Sequence, residues 1–146
     1  MQPEQFKCEL PSLSGLVSLV LMLVLAGIVL YYAKQRQQEA IVMALKVRQQ
    51  VWMEHLAVLQ PKWQMQNKPS QWHVDGTDLR MTPAGWPIAD NEQECTVLWQ
   101  LFLAEKPSPL ISHIRSVEGG CTYDAANVSL QYHYQRQSLV FYEIRR

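Results

Sequence analysis

The sequence has no excess of charge of either sign: Lys and Arg total 13, Asp and Glu total 13, and the pI is about 6.9. Without a net field there is no long-range pull on nucleic acid or on an acidic substrate. Charged residues of any kind are scarce at 18%, against 48% hydrophobic, which excludes an extended disordered chain. Cysteine is limited to three positions, with no CxxC pair and so no metal-ligand spacing. His55, His73, His113 and His133 stand singly, without HExxH, and GxSxG, P-loop and GxGxxG motifs are missing. Asp75 with Asp78 and Glu92 with Glu94 come nearest to carboxylate pairs, but turn and cap chemistry accounts for both. The sequence therefore predicts no enzyme, no cofactor, no metal, no small-molecule substrate and no nucleic-acid partner. A length of 146 residues bounds it to one domain, or one small domain with an anchor, and it carries no internal repeat or low-complexity linker.

What is present is concentrated. Mean hydropathy is slightly negative at −0.15, yet residues 13–33 contain no charged side chain and Gly15 to Leu30 is apolar except for small residues. A bilayer core about 30 Å thick takes about 20 helical residues, and a single crossing segment must bond its own backbone. Tyr31 and Tyr32 suit the headgroup level, with Lys34 and Arg36 beyond them in water. This predicts a tail over 1–12 and a transmembrane helix over 13–33. A buried core helix and a cleaved signal peptide are the competitors. The run is too pure for the first; for the second it is too long, has no small-x-small exit and follows only one base, Lys7.

Orientation is argued both ways. One basic side chain plus the terminal amine on the N side, against Lys34, Arg36, Lys46 and Arg48 on the C side, mildly favours a cytoplasmic C-terminal domain. Cys95 and Cys121 favour the opposite, because a bridge closing their 26-residue loop would add about 3.5 kcal/mol to a small domain. Free buried thiols are also common, so the two residues alone leave both states open. Cys8 lies on the other side of the span, where it would remain a thiol.

Beyond the span, residues 34–60 contain no Gly or Pro, and Ile41, Ala44, Leu45, Val51, Trp52, Leu56 and Leu59 recur at helical spacing. A juxtamembrane amphipathic helix is expected over 34–60, continuous with the span from Gly15 and ended by Pro61. A coiled coil is the lesser reading, since Arg48 breaks the heptad. Residues 61–146 form the globular region. Gln71 to Met81 predicts a hairpin turning at Asp75-Gly76. Asp90 or Asn91, with Glu94 following, predicts the cap of a short helix carrying Cys95, Leu98, Leu101 and Phe102. Val128 to Tyr134 alternates with period two, Leu139 to Ile144 is β-branched and aromatic, and Cys121 to Tyr123 is a candidate preceding strand. The predicted class is α+β: a long N-terminal transmembrane and amphipathic helix packed on a small antiparallel sheet. Of five tryptophans, most should be core, while Trp63 and Trp72 in polar surroundings are candidate partner contacts. The Asn127-Val128-Ser129 sequon falls in a predicted turn.

A spanning helix running on into an amphipathic half, a short meander and two cysteines towards the C-terminus resembles a type IV pilin or pseudopilin. The WHVDG stretch, Gly85-Trp86-Pro87, Cys95 followed by Leu98-Trp99, and Cys121-Thr122-Tyr123 resemble the F-type accessory biogenesis proteins of the mannose-sensitive haemagglutinin (MSHA) pilus. Pilins have a basic leader ending in Gly, then an apolar residue, with Glu at the fifth place. Here Gly15 and Leu16 stand for the first two, the fifth is Val20, and the leader is nearly uncharged. The resemblance implies a single-pass protein of a Gram-negative inner membrane. Its C-terminal domain would be periplasmic, where a Cys95–Cys121 bridge forms. It implies contacts with membrane lipid and with other pilin or pilus-assembly subunits, with Gly15, Ser18, Ala26 and Gly27 allowing close helix approach in the bilayer. The alternative is a bitopic envelope subunit or sensor of another complex, such as a type II secretion pseudopilin, with a ligand- or partner-binding periplasmic domain.

Overall fold

Helix α1 (Leu13–Met65) is the longest element of the computed structural model, which describes residues 13–107 and 109–144. The expected tail over 1–12, with Cys8, lies outside the described residues. The chain divides into two units, Met1–Gln37 and Gln38–Arg146, with the boundary inside α1. In the first unit the apolar side chains from Leu16 to Tyr32 are all exposed, as a helix solvated by lipid requires. Among the described residues α1 is one helix long and apolar enough to cross a membrane, and its most apolar window is entirely unburied.

The second unit begins with the remainder of α1, whose Leu45, Trp52, Leu56 and Trp63 are buried at spacings of seven, four and seven. Pro61 was expected to end the helix, but the helix passes through it to Met65. Proline removes the bond to the carbonyl of Ala57 four residues back, and both residues are exposed, so that the freed carbonyl is not sealed in the core. The added turn is held by Trp63, which is buried and whose Nε1 donates to the Pro69 carbonyl at 2.8 Å. The end comes at Asn67 and Lys68, with φ of 64° and 53°, and the Lys68 N–H returns to the Trp63 carbonyl at 3.2 Å.

A small antiparallel sheet follows, in the order β1 (Gln71–Val74), β2 (Thr77–Met81), β3 (Pro87–Ile88). Asp75 and Gly76 form the two-residue turn expected from the sequence, with φ of 46° and 79° between Val74 and its partner Thr77. Helix α2 (Glu92–Leu103) is capped as predicted: Asn91 Oδ1 accepts from the Glu94 N–H at 2.8 Å, and the Glu94 carboxylate accepts from the Asp90 N–H at 2.8 Å. The C-terminus is a four-stranded meander of β4 (His113–Val117), β5 (Gly120–Ala125), β6 (Val128–His133) and β7 (Ser138–Glu143). The fold is α+β, with one long apolar N-terminal helix and small antiparallel sheets.

Trp52 is the centre of the core. Its ring lies 5.0 Å from Phe102, 5.5 Å from both Tyr123 and Tyr132, and 6.2 Å from Trp99, so one α1 side chain joins α2 to β5 and β6. The two tyrosines direct their hydroxyls to backbone carbonyls, Tyr123 to Cys95 at 2.7 Å and Tyr132 to Pro87 at 2.6 Å. Burial pushes both phenols well above their ordinary pKa, with the neighbouring tyrosines adding to the effect at Tyr132.

Candidate functional site

Three regions carry features beyond those the core requires. The disulfide joins two elements of the head. Cys95 in α2 and Cys121 in β5 are bonded across a Cα separation of 5.8 Å, and both are fully buried. The bridge fastens the short helix to the meander through the layer that Trp52 fills.

The first region is the span. Gly15, Ser18 and Ala26 fall within about 80° of one another around a helix of 3.6 residues per turn, so they share a stripe. Gly27 lies about 100° from Ala26 and does not share their centre. A Cβ built at Gly27 would meet nothing within 4 Å, so this glycine leaves a bare patch of backbone on the exposed surface of the apolar helix.

Trp63 and Trp72, expected as partner contacts, do not form a contact surface. Only 2% and 7% of their surfaces are exposed. The polar neighbours that suggested exposure are the other face of β1 and the end of α1. Trp72 faces inward because strand side chains alternate, with Gln71 and His73 outward.

The second region was not anticipated. Around α1, the positions 43, 47, 50, 54, 58, 61 and 65 recur at intervals of four, three, four, four, three and four, and all are exposed. They lie opposite the buried series through Leu45, Trp52 and Leu56. Met43 is 66% exposed, Val47 60%, Val58 55% and Met65 85%, and only Gln50 and Glu54, bonded to each other at 3.0 Å, are polar in the middle. The head portion of α1 thus has two apolar faces, of which the fold covers one. A second series offset by half a turn was the available sequence signal.

The third region is a polar cleft of about 920 Å³ whose lining includes Gln38, His113, Arg115, Asp124, Asn127 and Ile144. Strand pairing assembles it. His113 is opposite Asp124 in the β4–β5 register, and Arg115, two residues on, reaches diagonally so that its Nη2 donates to Asp124 Oδ2 at 2.6 Å. Ala126 begins the tight turn to β6 with φ of 51°, a left-handed conformation unusual for alanine, and Asn127 completes it. The Asp124 carboxylate is only 13% exposed while Arg115 is 62% exposed. Asp124 Oδ1 and Asn127 Oδ1 are buried and have no hydrogen-bond partner among the described residues. A dry acceptor of this kind costs about 1–3 kcal/mol. No motif announced these residues, because His113, Arg115 and Asp124 meet only through register.

A further charged group lies elsewhere on the head. The Arg80 guanidinium bonds Asp90 and Glu94 at 2.9 Å each, and the Tyr134 hydroxyl donates to Asp90 Oδ1 at 2.7 Å. The Tyr134 bond, helped by Arg80, holds the Asp90 carboxyl below its ordinary pKa, and the same bond raises that of Tyr134. On α1, Arg48 pairs with Glu105 and His55 contacts the Phe102 carbonyl, tying the helix to the end of α2. Among the described residues no group of three or more His, Cys, Asp or Glu could hold a metal ion. No protein-family model, no curated protein and no solved structure matches the chain.

Proposed function

We propose that the chain is a membrane-anchored, pilin-like accessory subunit that helps assemble an MSHA-type type IV pilus through protein contacts. The observation that carries this reading is the uncovered apolar face of α1 at Met43, Val47, Val58 and Met65. Side chains of this kind, repeating at helical spacing outside a finished core, are what a partner helix packs against. In this reading the partners are other pilin or assembly subunits, and the head docks rather than catalyses.

The head is assigned to the periplasm. The support is the Cys95–Cys121 bridge, since disulfides persist in the bacterial periplasm and are rare in the cytosol. The bridge outweighs a difference of a few basic residues flanking the span. Small residues at Gly15, Ser18 and Ala26 would let a neighbouring spanning helix approach closely.

Deletion of the gene followed by counting of surface pili tests the proposal. Loss of pili, restored by the wild-type chain, is expected; normal piliation contradicts it. The polar cleft favours a second reading, an envelope subunit or sensor of another complex whose head binds a ligand. That reading predicts unchanged pilus numbers after deletion.

A further inference from the structure

We propose that the outer face of α1 from Met43 to Met65 receives a helix of a different chain, one that sets a Lys or Arg, flanked by apolar residues, against Glu54. This names the partner's chemistry for the docking face above. It rests on that face being used, not on what is assembled through it.

The shape of the face selects a helix. Its exposed positions form a strip one side chain wide and about 33 Å long at 1.5 Å per residue. Intervals of three and four are those into which a second helix fits its own side chains, and a rod laid along the strip covers it. The pattern repeats after 11 residues, close to a whole number of turns, so the strip runs nearly along the helix axis.

Charge then selects the chain. Glu54 stands exposed at the middle of the strip, with Met43 and Val47 before it and Val58 and Met65 after it. Its helix neighbours at 50, 51, 57 and 58 are Gln, Val, Ala and Val, and among the described residues it forms no ion pair. Gln50 Nε2 donates to Glu54 Oε1 at 3.0 Å, which leaves Glu54 Oε2 and Gln50 Oε1 as acceptors. A wholly apolar helix laid over them would take a carboxylate out of water without a counter-charge. A second copy of this chain would do worse. The intervals read the same in both directions from Glu54, so a two-fold pair centred on the strip sets Glu54 against Glu54 whether parallel or antiparallel. A guanidinium or ammonium on the partner instead satisfies both acceptors and opposes the charge.

The test places benzoylphenylalanine at Val58, one turn from Glu54, in the tagged full-length chain within cells that make it naturally. Adducts formed on irradiation are separated by mass and sequenced. The expected adduct is with a different chain, and its cross-linked peptide carries Lys or Arg within about two helical turns of the attachment point. Glu54→Lys should lower its yield roughly tenfold, the effect of one charge-assisted hydrogen bond, and replacing the partner's base by Glu should restore it. Glu54→Gln removes the charge with little change of shape and should lower the yield too if Glu54→Lys fails to fold. An adduct between two differently tagged copies overturns the proposal, as does a cross-linked peptide without a base, a yield that both substitutions leave unchanged, or no protein adduct at all. Counting surface pili after gene deletion separates this from pilus assembly. A charge-dependent adduct with normal piliation upholds the basic partner and rejects the pilus, whereas loss of pili with any of the overturning outcomes does the reverse.

Discussion

The indole of Trp63 lies directly on Gly85: a Cβ at that glycine would come within 2.8 Å of Trp63 Cε3 and Cζ3. Gly85 also has φ of 80°, in a turn closed by its N–H to the Thr82 carbonyl at 2.9 Å. Two independent requirements, backbone sign and ring clearance, thus meet at one residue. Through it, the last turn of α1 is locked to the loop between β2 and β3.

Gly85→Ala should therefore destabilise the head by about 2 kcal/mol or more, since it strains the turn and displaces a buried ring. Gly76→Ala, also at positive φ but with nothing within 4 Å of the added methyl, should cost less. Thermal unfolding of the two variants in detergent measures the difference. Equal losses would show that ring packing at Gly85 contributes nothing.

Reduction of Cys95–Cys121 should lower the unfolding free energy by about 3.5 kcal/mol, from the 26-residue separation of the two cysteines. Because the bridge is fully buried, it should resist mild reductant until the head opens. Denaturant melts with and without reductant, and with Cys95→Ala, read this effect. An unchanged midpoint would contradict it.

Stability should fall at alkaline pH through Tyr123 and Tyr132. Their folded pKa values are raised by burial above an unfolded value of about 10, so their contribution is complete below that pH and is lost as pH rises through it. Substitution of both by Phe should flatten the alkaline limb, at the cost of the bonds to the Cys95 and Pro87 carbonyls. An unaltered limb in the double variant would assign the loss elsewhere.

At the acid end Asp90 behaves oppositely. Its folded pKa is lowered, first by Tyr134 and then by Arg80, so its contribution is present above an unfolded value of about 3.9 and is lost as pH falls below it. Asp90→Asn should destabilise by less than about 1 kcal/mol at pH 7, because the carboxylate is half exposed. The gap to the wild type should narrow as pH falls below the unfolded value. A gap constant with pH would show that charge plays no part.

Much of this architecture was legible in the sequence where one periodicity or one turn pair decided the outcome. The uncharged run from Leu13 to Ala33, the Asp75-Gly76 turn, the Asn91 cap and the alternation from Val128 to Tyr134 each state a local rule that the fold obeys. Pro61 misled because an exposed proline costs one bond and leaves a carbonyl that is not sealed in the core, while buried Trp63 holds the next turn. Trp63 and Trp72 misled because polar neighbours in sequence are not neighbours in space, and a strand sends alternate residues to opposite faces. Strand β4 was not expected, since His113 to Val117 is too polar to signal a sheet without β5 beside it. The cleft depends on that same register and so had no local signature.

Pilus assembly by this chain, as proposed, requires the uncovered apolar face of α1 to be a docking face. The direct measurement is the number of surface pili in a strain lacking the gene and complemented with the Met43→Glu, Val47→Glu chain, at membrane levels and melting temperature matched to wild type. Both side chains point away from the core, so the head should fold normally while piliation stays at the level of the deletion strain. Full piliation by this double variant would contradict docking through that face.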